Sequence, residues 1–279
     1  MKKISRRSFL AAAGLTVAAL ALTACGGSAS TASSAASSVA ASSEAASTSA
    51  AAAELTTVEA GKLTMATNAT FPPYEMTTDA GTIEGIDVDT AQAIAEKLGL
   101  ELQIDDMDFD AALLSVQQGK ADIAMAGITV TDERMAVMSF SDSYATGIQS
   151  VIVPEGSDIA SVDDLAGKKI GTQRGTTGYI YCSDDFGEDS VVAYDNGLTA
   201  VQALNNGQVD AVVIDNAPAK EFVAANPGLV ILETSYAEED YAIGMAKGSS
   251  LEDAINAALE ELKADGTLQS IVDKYITAE

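Results

Sequence analysis

Residues 109–135 read FDAALLSVQQGKADIAMAGITVTDERM, and their pattern decides the fold class. A helix-like segment ends at Gly119, and the apolar run ADIAMAGI that follows predicts a buried strand. Thr131 is a predicted N-cap, so a second helix begins soon after the strand, with Arg134 near its third position. Because the N-terminal end of a helix favours anions, a cation placed there needs a functional explanation.

The same order of elements occurs twice in the chain. The segments ALLSVQQGKADIAMAGIT at 112–129 and AVQALNNGQVDAVVIDNA at 200–217 share a helix, a turn with glycine, an aspartate and a strand ending at a polar residue. Helix and strand patterns also alternate between 63 and 105, and 250–276 predicts two helices separated by Asp265 and Gly266. Two such units predict an α/β protein with two lobes, each with a mostly parallel sheet.

The first 24 residues predict a cleaved export signal. A basic start precedes an apolar run at 9–22 that is too short to span a membrane. The sequence LTAC at 22–25 matches a lipoprotein signal, in which Cys25 becomes the lipidated first residue of the mature chain. An ordinary signal peptide is the alternative, and SRRSFL at 5–10 also resembles a twin-arginine signal.

Residues 25–60 predict a disordered tether that holds a folded domain off the membrane. They are almost entirely Ala, Ser, Thr and Gly, without the spaced large apolar residues that build a core. A weak alanine-driven helix is the alternative. The folded part is expected from about residue 55 onward.

Composition excludes several classes of function. The formal net charge is −26, and removal of the four basic residues of the leader takes it to −30. No basic stripe exists to neutralise phosphates, which excludes nucleic acid as a partner. Without any histidine, histidine-based triads and histidine-ligated zinc are ruled out, whereas carboxylate chemistry remains possible. If Cys25 is lipidated, Cys182 has no second cysteine with which to form a disulfide, and we predict that its thiol is inert.

Polar residues follow several predicted strands. Thr129 and Arg134 come after one strand, Thr176 and Thr177 come after the strand KKIGTQ, and Asp215 ends the strand DAVVID. In open α/β sheets, ligands bind beyond the carboxyl ends of strands, near helix N-termini. These residues therefore predict a ligand site.

The chain from about residue 61 resembles a known family, the extracytoplasmic solute-binding proteins of ABC importers for polar amino acids (family 3, of the glutamine-binding and lysine/arginine/ornithine-binding type). The resemblance rests on TNATFPPYEM, GIDVDTAQAIAEKLG, the segment 107–144, DLAGKKIGTQRGTTG and GQVDAVVIDNAPA. It implies a two-lobed type II periplasmic-binding-protein fold. It also implies high-affinity binding of an amino acid by lobe closure and delivery to a permease, without enzyme activity, cofactor or metal.

The resemblance implies that Arg134 holds the α-carboxylate of the ligand, because a planar guanidinium fork fits a carboxylate better than an ammonium does. The groups implied to assist it are the backbone at Ala126 and Gly127, the Thr129 hydroxyl, and the amides of Thr176 and Thr177. Taken alone, Arg134 could instead be a surface ion-pair partner of Asp132 or Glu133.

The family pattern also assigns the opposite end of the ligand. Asp215 would accept from the α-ammonium, Phe71 and Phe109 would enclose the ligand side chain, and Tyr74 would lie near the mouth. Taken alone, Asp215 could be a helix cap before Pro218 at N1, and each phenylalanine could belong to the core.

Three positions bear on which amino acid is bound. Asn68 stands where binders of cationic ligands often have an acid, while Gln173 and Ile214 stand where the glutamine binder has a lysine and a histidine. These departures favour a neutral polar amino acid.

Asp87 is predicted to cap the following helix, and the acidic run at 238–240 is predicted to solvate the surface.

The predicted layout places lobe 1 at 61–149 plus 244–279, lobe 2 at 152–239, and a hinge near 149–153 and 239–244. The mature protein is expected to be a monomer. We expect it on the outer face of the cell membrane or in the periplasm, with membrane contact through the lipid anchor only and permease subunits as partners.

Two other classes of function remain open. One is a lyase or dehydratase on the same bilobal scaffold, with Glu75 or Asp215 as the general acid. The other is a sensor component that reports ligand to a signalling partner.

Overall fold

The computed structural model describes residues 55–233 and 235–276, which form part of one compact unit. The predicted signal at 1–24, the lipidation site Cys25 and most of the predicted tether at 25–60 lie outside the described residues. Within the described residues, no helix has the length and apolar character needed to cross a membrane.

The described residues contain strands and helices in alternation. The strands are β1 (Lys62–Thr67), β2 (Thr70–Phe71), β3 (Glu75–Thr77), β4 (Ile83–Glu84), β5 (Glu101–Asp106), β6 (Ile123–Ala124), β7 (Met138–Phe140), β8 (Ala145–Pro154), β9 (Ile170–Gln173), β10 (Val191–Tyr194), β11 (Ala211–Asp215), β12 (Leu229–Ile231), β13 (Ala237–Tyr241) and β14 (Gly244–Ala246). The helices are α1 (Ile86–Leu98), α2 (Phe109–Gln117), α3 (Asp132–Val137), α4 (Thr177–Phe186), α5 (Gly197–Asn205), α6 (Asn216–Ala225), α7 (Glu252–Ala264) and α8 (Thr267–Tyr275), with short 3-10 helices at Val162–Leu165 and Glu188–Ser190.

The first sheet has the strand order β5-β1-β6-β14-β7. Ile123 and Met125 pack in the apolar cluster that contains α1 and α7, while Ala124 packs with α2. Because side chains alternate across a strand, the run ADIAMAGI is buried on both faces of the sheet, as its composition predicted.

The second sheet has the order β10-β9-β11-β8-β12, with β13 also paired to β8. Val212 and Ile214 pack with α5 and α6 in the same apolar cluster that includes α1 and α7, whereas Val213 packs with Cys182 of α4. The second copy of the repeat thus builds the same sandwich of helix, strand and helix as the first. A small sheet of β2, β3 and β4 lies apart from both.

The predicted α/β fold is confirmed, but the two main sheets are mixed and not mostly parallel. The pairs β1–β5, β1–β6, β9–β10 and β9–β11 are parallel. Every antiparallel pair in these two sheets includes β8 or β14. These are the strands through which the chain enters one sheet from the other, so their direction is set by the crossing and not by a helix connection.

Two crossings connect the sheets. The chain leaves the first sheet after Phe140 and enters the second at Ala145, and it returns between Tyr241 and Gly244. Next to these crossings, β8 and β13 pair in antiparallel register from Ala145–Tyr241 to Gln149–Ala237. Both crossings therefore connect to one paired ribbon at the edge of the second sheet.

Two of the predicted helix ends are confirmed. Gly99 ends α1 with a φ of 69°, a conformation that glycine adopts without steric cost, and its amide donates to carbonyls of the last turn. The C-terminal helices α7 and α8 are separated by Asp265 and Gly266, as the sequence indicated.

Candidate functional site

A cavity lies at the carboxyl ends of strands from both sheets. Its walls are lined by Asn68, Phe71, Glu75, Phe109, Ala126, Gly127, Thr129, Arg134, Gln149, Gln173, Thr176, Thr177, Val213, Ile214 and Asp215. Apart from Tyr74, every residue predicted from the sequence as ligand-binding lines this cavity. Their role in binding stays a prediction.

Arg134 occupies the N-terminal turn of α3, where the sequence predicted it. Thr131 is the N-cap, and its hydroxyl accepts from the Arg134 amide at 3.2 Å. The guanidinium turns into the cavity, where Nη1 donates to the Thr129 carbonyl at 2.8 Å and Nη2 to the Gly175 carbonyl at 3.2 Å. Both acceptors are neutral, so they orient the guanidinium without balancing its charge.

The charge of Arg134 has no partner within ion-pair distance. Only 9% of the residue is exposed, and among the described residues no salt bridge includes it. Asp132 and Glu133 are exposed, so the surface ion pair considered for Arg134 is not formed. Burial lowers the pKa of Arg134, yet a guanidinium stays protonated at any physiological pH.

Aromatic rings form part of the cavity wall. The guanidinium carbon of Arg134 lies 5.4 Å from the centroid of the Phe109 ring, a cation–π distance. A side-chain carbon added at Gly127 would lie 2.7 Å from the Phe71 ring, so this ring packs directly on the backbone that precedes Thr129. Both phenylalanines are largely buried and line the cavity.

Several hydrogen bonds join residues of the first sheet to residues of the second across the cavity. Gln173 donates its side-chain amide to the Asn68 side-chain oxygen at 2.9 Å, and the hydroxyls of Thr129 and Thr177 lie 3.4 Å apart. Together with the Arg134–Gly175 bond, these contacts bring the two sheets together around the cavity. This arrangement encloses the cavity between the two sheets.

Asp215 ends β11 and forms the acidic wall of the cavity. Its carboxylate accepts from the Gln149 side chain at 2.9 Å and from the Tyr241 hydroxyl, and it makes no capping bond to α6. Pro218 is the third residue of α6, not the first. Burial raises the pKa of Asp215 to about 7, an increase that the hydrogen bond from Tyr241 opposes.

Glu239 corrects the interpretation of the acidic run at 238–240. Glu238 and Asp240 are exposed, whereas Glu239 is 6% exposed. Its carboxylate accepts from Gln149 at 2.9 Å and from the Thr177 hydroxyl at 3.0 Å. Because successive side chains of a strand point to opposite faces, Glu239 points inward while its neighbours in β13 point outward. This alternation could have indicated a buried acid from the sequence.

Asp87 is not an N-cap, contrary to the prediction. Helix α1 begins at Ile86 with Gly85 as its cap, so Asp87 lies inside the first turn. Its carboxylate accepts from the Gly127 amide at 3.1 Å and from the Tyr144 hydroxyl at 2.7 Å. Burial raises its pKa to about 6. Asp87 therefore fixes the backbone of the loop that carries the predicted carboxylate-binding groups.

Tyr74 does not line the cavity. Its ring stacks on Phe71 at 5.8 Å between centroids and meets the Tyr241 ring edge-on at 5.3 Å. It lines a separate groove beside the crossings, so we assign it to the support of Phe71.

Glu75, Gln149 and Val213 line the cavity but were not predicted as binding residues. A polar residue inside the apolar strand GIQSVIVP could have drawn attention to Gln149. Glu75 was considered only as the general acid of a lyase and not as a binding residue, because an acid near a turn is usually exposed. Within the described residues, no cluster of three or more acidic or thiol side chains is arranged to hold a metal ion.

This fold, with a small polar cavity walled by both sheets and an unpaired arginine inside it, defines a solute-binding protein of the type II periplasmic class. Residues 63–278 match the bacterial extracellular solute-binding proteins, family 3, and the chain belongs to this family.

Relatives cover most of the chain. A probable histidine-binding protein of Neisseria gonorrhoeae is 33% identical over 222 residues, which cover 77% of this chain and 83% of that protein. The ABC transporter glutamine-binding protein GlnH of Bacillus subtilis is 35% identical over 202 residues, covering 71% and 74%. The solved structure of the arginine-, lysine-, histidine-binding protein ArtJ from Geobacillus stearothermophilus matches with a TM-score of 0.75 and 34% identity, covering 78% and 96%.

Proposed function

We propose that the cavity binds a polar amino acid as a zwitterion outside the cytoplasm and that the protein delivers it to an ABC transporter. The observation that carries the proposal is the buried guanidinium of Arg134, which faces the cavity without a negative partner. The α-carboxylate of a ligand would balance this charge. The relatives support the class of ligand, since their names specify histidine, glutamine, arginine and lysine.

The second sheet would hold the rest of the zwitterion. Asp215 would accept from the α-ammonium, and the amide of Thr177, the first residue of α4, would donate to the carboxylate. Phe71 and Phe109 would flank the ligand side chain. A charge-assisted hydrogen bond contributes about 1.5–3 kcal/mol, so three or four of them reach the roughly 8 kcal/mol of micromolar binding.

Ligand binding would be coupled to closure of two lobes, because the two ends of the zwitterion meet different sheets. The sequence placed lobe 1 at 61–149 plus 244–279 and lobe 2 at 152–239; we propose that residues 145–149 belong to lobe 2 instead, since they are part of β8 in the second sheet. The return crossing is proposed at 239–244. For the first crossing, the strand bounds favour 141–144 over the 149–153 expected from the sequence, since β8 pairs with the second sheet from Ala145 onward.

We propose that residues 1–24 direct export, that Cys25 is lipidated, and that 25–60 tether the domain to the outer face of the membrane. The functional unit would be a monomer whose partners are the permease subunits. We also propose binding without catalysis. The relatives are binding proteins, which supports this choice over a lyase using Glu75 or Asp215, or a sensor module.

Thermal unfolding of the domain from residue 55 onward with each of the twenty amino acids tests the proposal. At about a hundred times its dissociation constant, a ligand adds roughly 2.7 kcal/mol to the free energy of unfolding. One or a few polar amino acids should raise the melting temperature. Arg134→Ala and Asp215→Ala should abolish the shift, whereas Arg174→Ala, at an exposed arginine outside this cavity, should keep it. The absence of a shift with all twenty would reject the proposal.

A further inference from the structure

Glu239 is a buried acid next to the cavity, and the proposed zwitterion site gives it no role. It lies in β13, two residues before Tyr241 ends that strand. Its carboxylate oxygen Oε2 accepts from the Gln149 side-chain amide at 2.9 Å and from the Thr177 hydroxyl at 3.0 Å. Both donors line the cavity, one from β8 and the other from α4. Glu239 therefore holds two parts of the cavity wall that belong to different elements.

Through Gln149, Glu239 acts on the end of the cavity where the α-ammonium is proposed to bind. The Gln149 side-chain nitrogen donates to Asp215 and to Glu239, at 2.9 Å in each case. A primary amide has two N–H donors, so the two carboxylates use both and fix the direction in which the amide faces. Burial is the largest cause of the raised pKa of Asp215, and repulsion from the nearby Glu239 carboxylate adds to it.

Through Thr177, Glu239 acts on the end of the cavity where the α-carboxylate is proposed to bind. The single hydroxyl hydrogen of Thr177 is donated to Glu239, so Thr129 is the donor in the 3.4 Å contact between the two threonine hydroxyls. Burial lowers the pKa of Arg134, and Glu239 is the charged group that opposes this effect most strongly. The hydrogen bonds form one series across the site: Thr129, Thr177, Glu239, Gln149 and Asp215.

We infer that Glu239 is a positioning residue of the ligand site, whose hydrogen bonds orient Gln149 and Thr177. Its charge also sets the pH range in which Asp215 is ionised and able to bind an α-ammonium. The inference rests on the proposed function, since it assumes that Asp215 accepts from that group. Other titratable side chains act on Asp215 or line the same groove, and the tests leave them unchanged: Tyr74, Glu75, Arg134, Tyr241, Lys220 and Glu221.

Isothermal titration calorimetry from about pH 5 to pH 8 tests the inference. The probe is whichever of the twenty amino acids raises the melting temperature of the wild type most. Glu239→Gln keeps an oxygen that can accept both hydrogen bonds but removes the charge, whereas Glu239→Ala removes both. Glu238→Gln is the matched control, because Glu238 precedes Glu239 in the same strand and is exposed.

The wild type should lose half of its affinity near pH 7, where Asp215 becomes protonated. Without repulsion from Glu239, the pKa of Asp215 falls, so this midpoint should move about one pH unit lower in both Glu239 variants. At about pH 8, Glu239→Gln should bind within about threefold of the wild type, and Glu239→Ala should bind at least about tenfold more weakly because Gln149 and Thr177 lose their acceptor. Glu238→Gln should resemble the wild type throughout.

An unchanged midpoint in Glu239→Gln, or wild-type affinity in Glu239→Ala, would overturn the inference but leave the proposed function standing, since the wild type would still bind. Binding of no amino acid by the wild type would refute both. If Glu239→Ala does not fold, the midpoint of Glu239→Gln decides alone, because a residue that only supported the fold would not move it.

Discussion

Replacement of Gly175 by alanine should weaken ligand binding by preventing full approach of the two sheets. Gly175 follows β9 with a φ of 74°, and an added side-chain carbon would overlap the carboxyl group of Asp110 in α2, with its Cγ at 2.6 Å. Because α2 packs on the first sheet and β9 belongs to the second, this overlap exists only while the two sheets are close together.

The substitution has two separable costs. The left-handed backbone costs alanine about 1–2 kcal/mol in any conformation of the folded protein, and it lowers thermal stability. The overlap with Asp110 acts only in the closed form, and because Asp110 is exposed its carboxyl group can turn away at the cost of a less favourable side-chain conformation, about 0.5–1.5 kcal/mol. Since 1.4 kcal/mol is a tenfold change, the dissociation constant should rise about 2- to 12-fold.

Calorimetric titration and thermal unfolding of four proteins separate these costs. The proteins are Gly175→Ala, Asp110→Ala, the double variant and Gly156→Ala. Gly156 also has a positive φ of 79°, but an alanine there would meet no atom within 4 Å. Asp110→Ala should restore much of the affinity of Gly175→Ala without restoring its melting temperature, and Gly156→Ala should lose stability only. Wild-type affinity in Gly175→Ala, or a double variant as weak as the single one, would refute the reasoning.

Three further predictions concern titration and reactivity. Burial raises the pKa of Asp215 from near 4 in the unfolded chain to about 7, so the ligand-free protein should lose stability as the pH rises from about 4 to 7; Asp215→Asn should flatten the melting temperature over this range, and an unchanged profile would contradict the assignment. Ligand affinity should follow the opposite trend and weaken as the pH falls below 7, because Asp215 is then protonated. Tyr241→Phe removes a hydrogen bond that lowers the pKa of Asp215, so the pH at which affinity is half lost should rise in this variant. Cys182 is fully buried, and burial raises its pKa to about 12; with Cys25 replaced by serine, the native protein should resist thiol reagents and expose one thiol on unfolding, whereas rapid native labelling would show an opening of α4.

The local features of the fold were predicted well because they depend on neighbouring residues. The apolar run around Ile123, the N-cap Thr131 and the helix stop at Gly99 each follow from a pattern a few residues long. The repeat at 112–129 and 200–217 likewise indicated two similar sheet layers. The direction of β8 and β14 was not predicted, because it is set by crossings between sheets and not by any local pattern.

In the candidate site too, features that depend on neighbouring residues were predicted, and contacts between distant residues were not. The sequence marked Asp215 because it ends a buried strand and Arg134 because it follows one at the start of a helix, and the family resemblance implied their roles. Their separate partners, and the burial of Glu239, depend on residues distant in the chain. Asp87 was misassigned because its helix position suggested a cap, while contacts with Gly127 and Tyr144 decided its role.

The sequence by itself therefore determined the α/β class, the twofold repeat and which strand ends carry polar groups, since periodicity and capping are properties of short segments. Only the tertiary structure decided that Asn68 pairs with Gln173 and that Glu239 is buried against Gln149 and Thr177. Whether a polar group is satisfied depends on which residues the fold brings within hydrogen-bond distance, and these lie far apart in the chain.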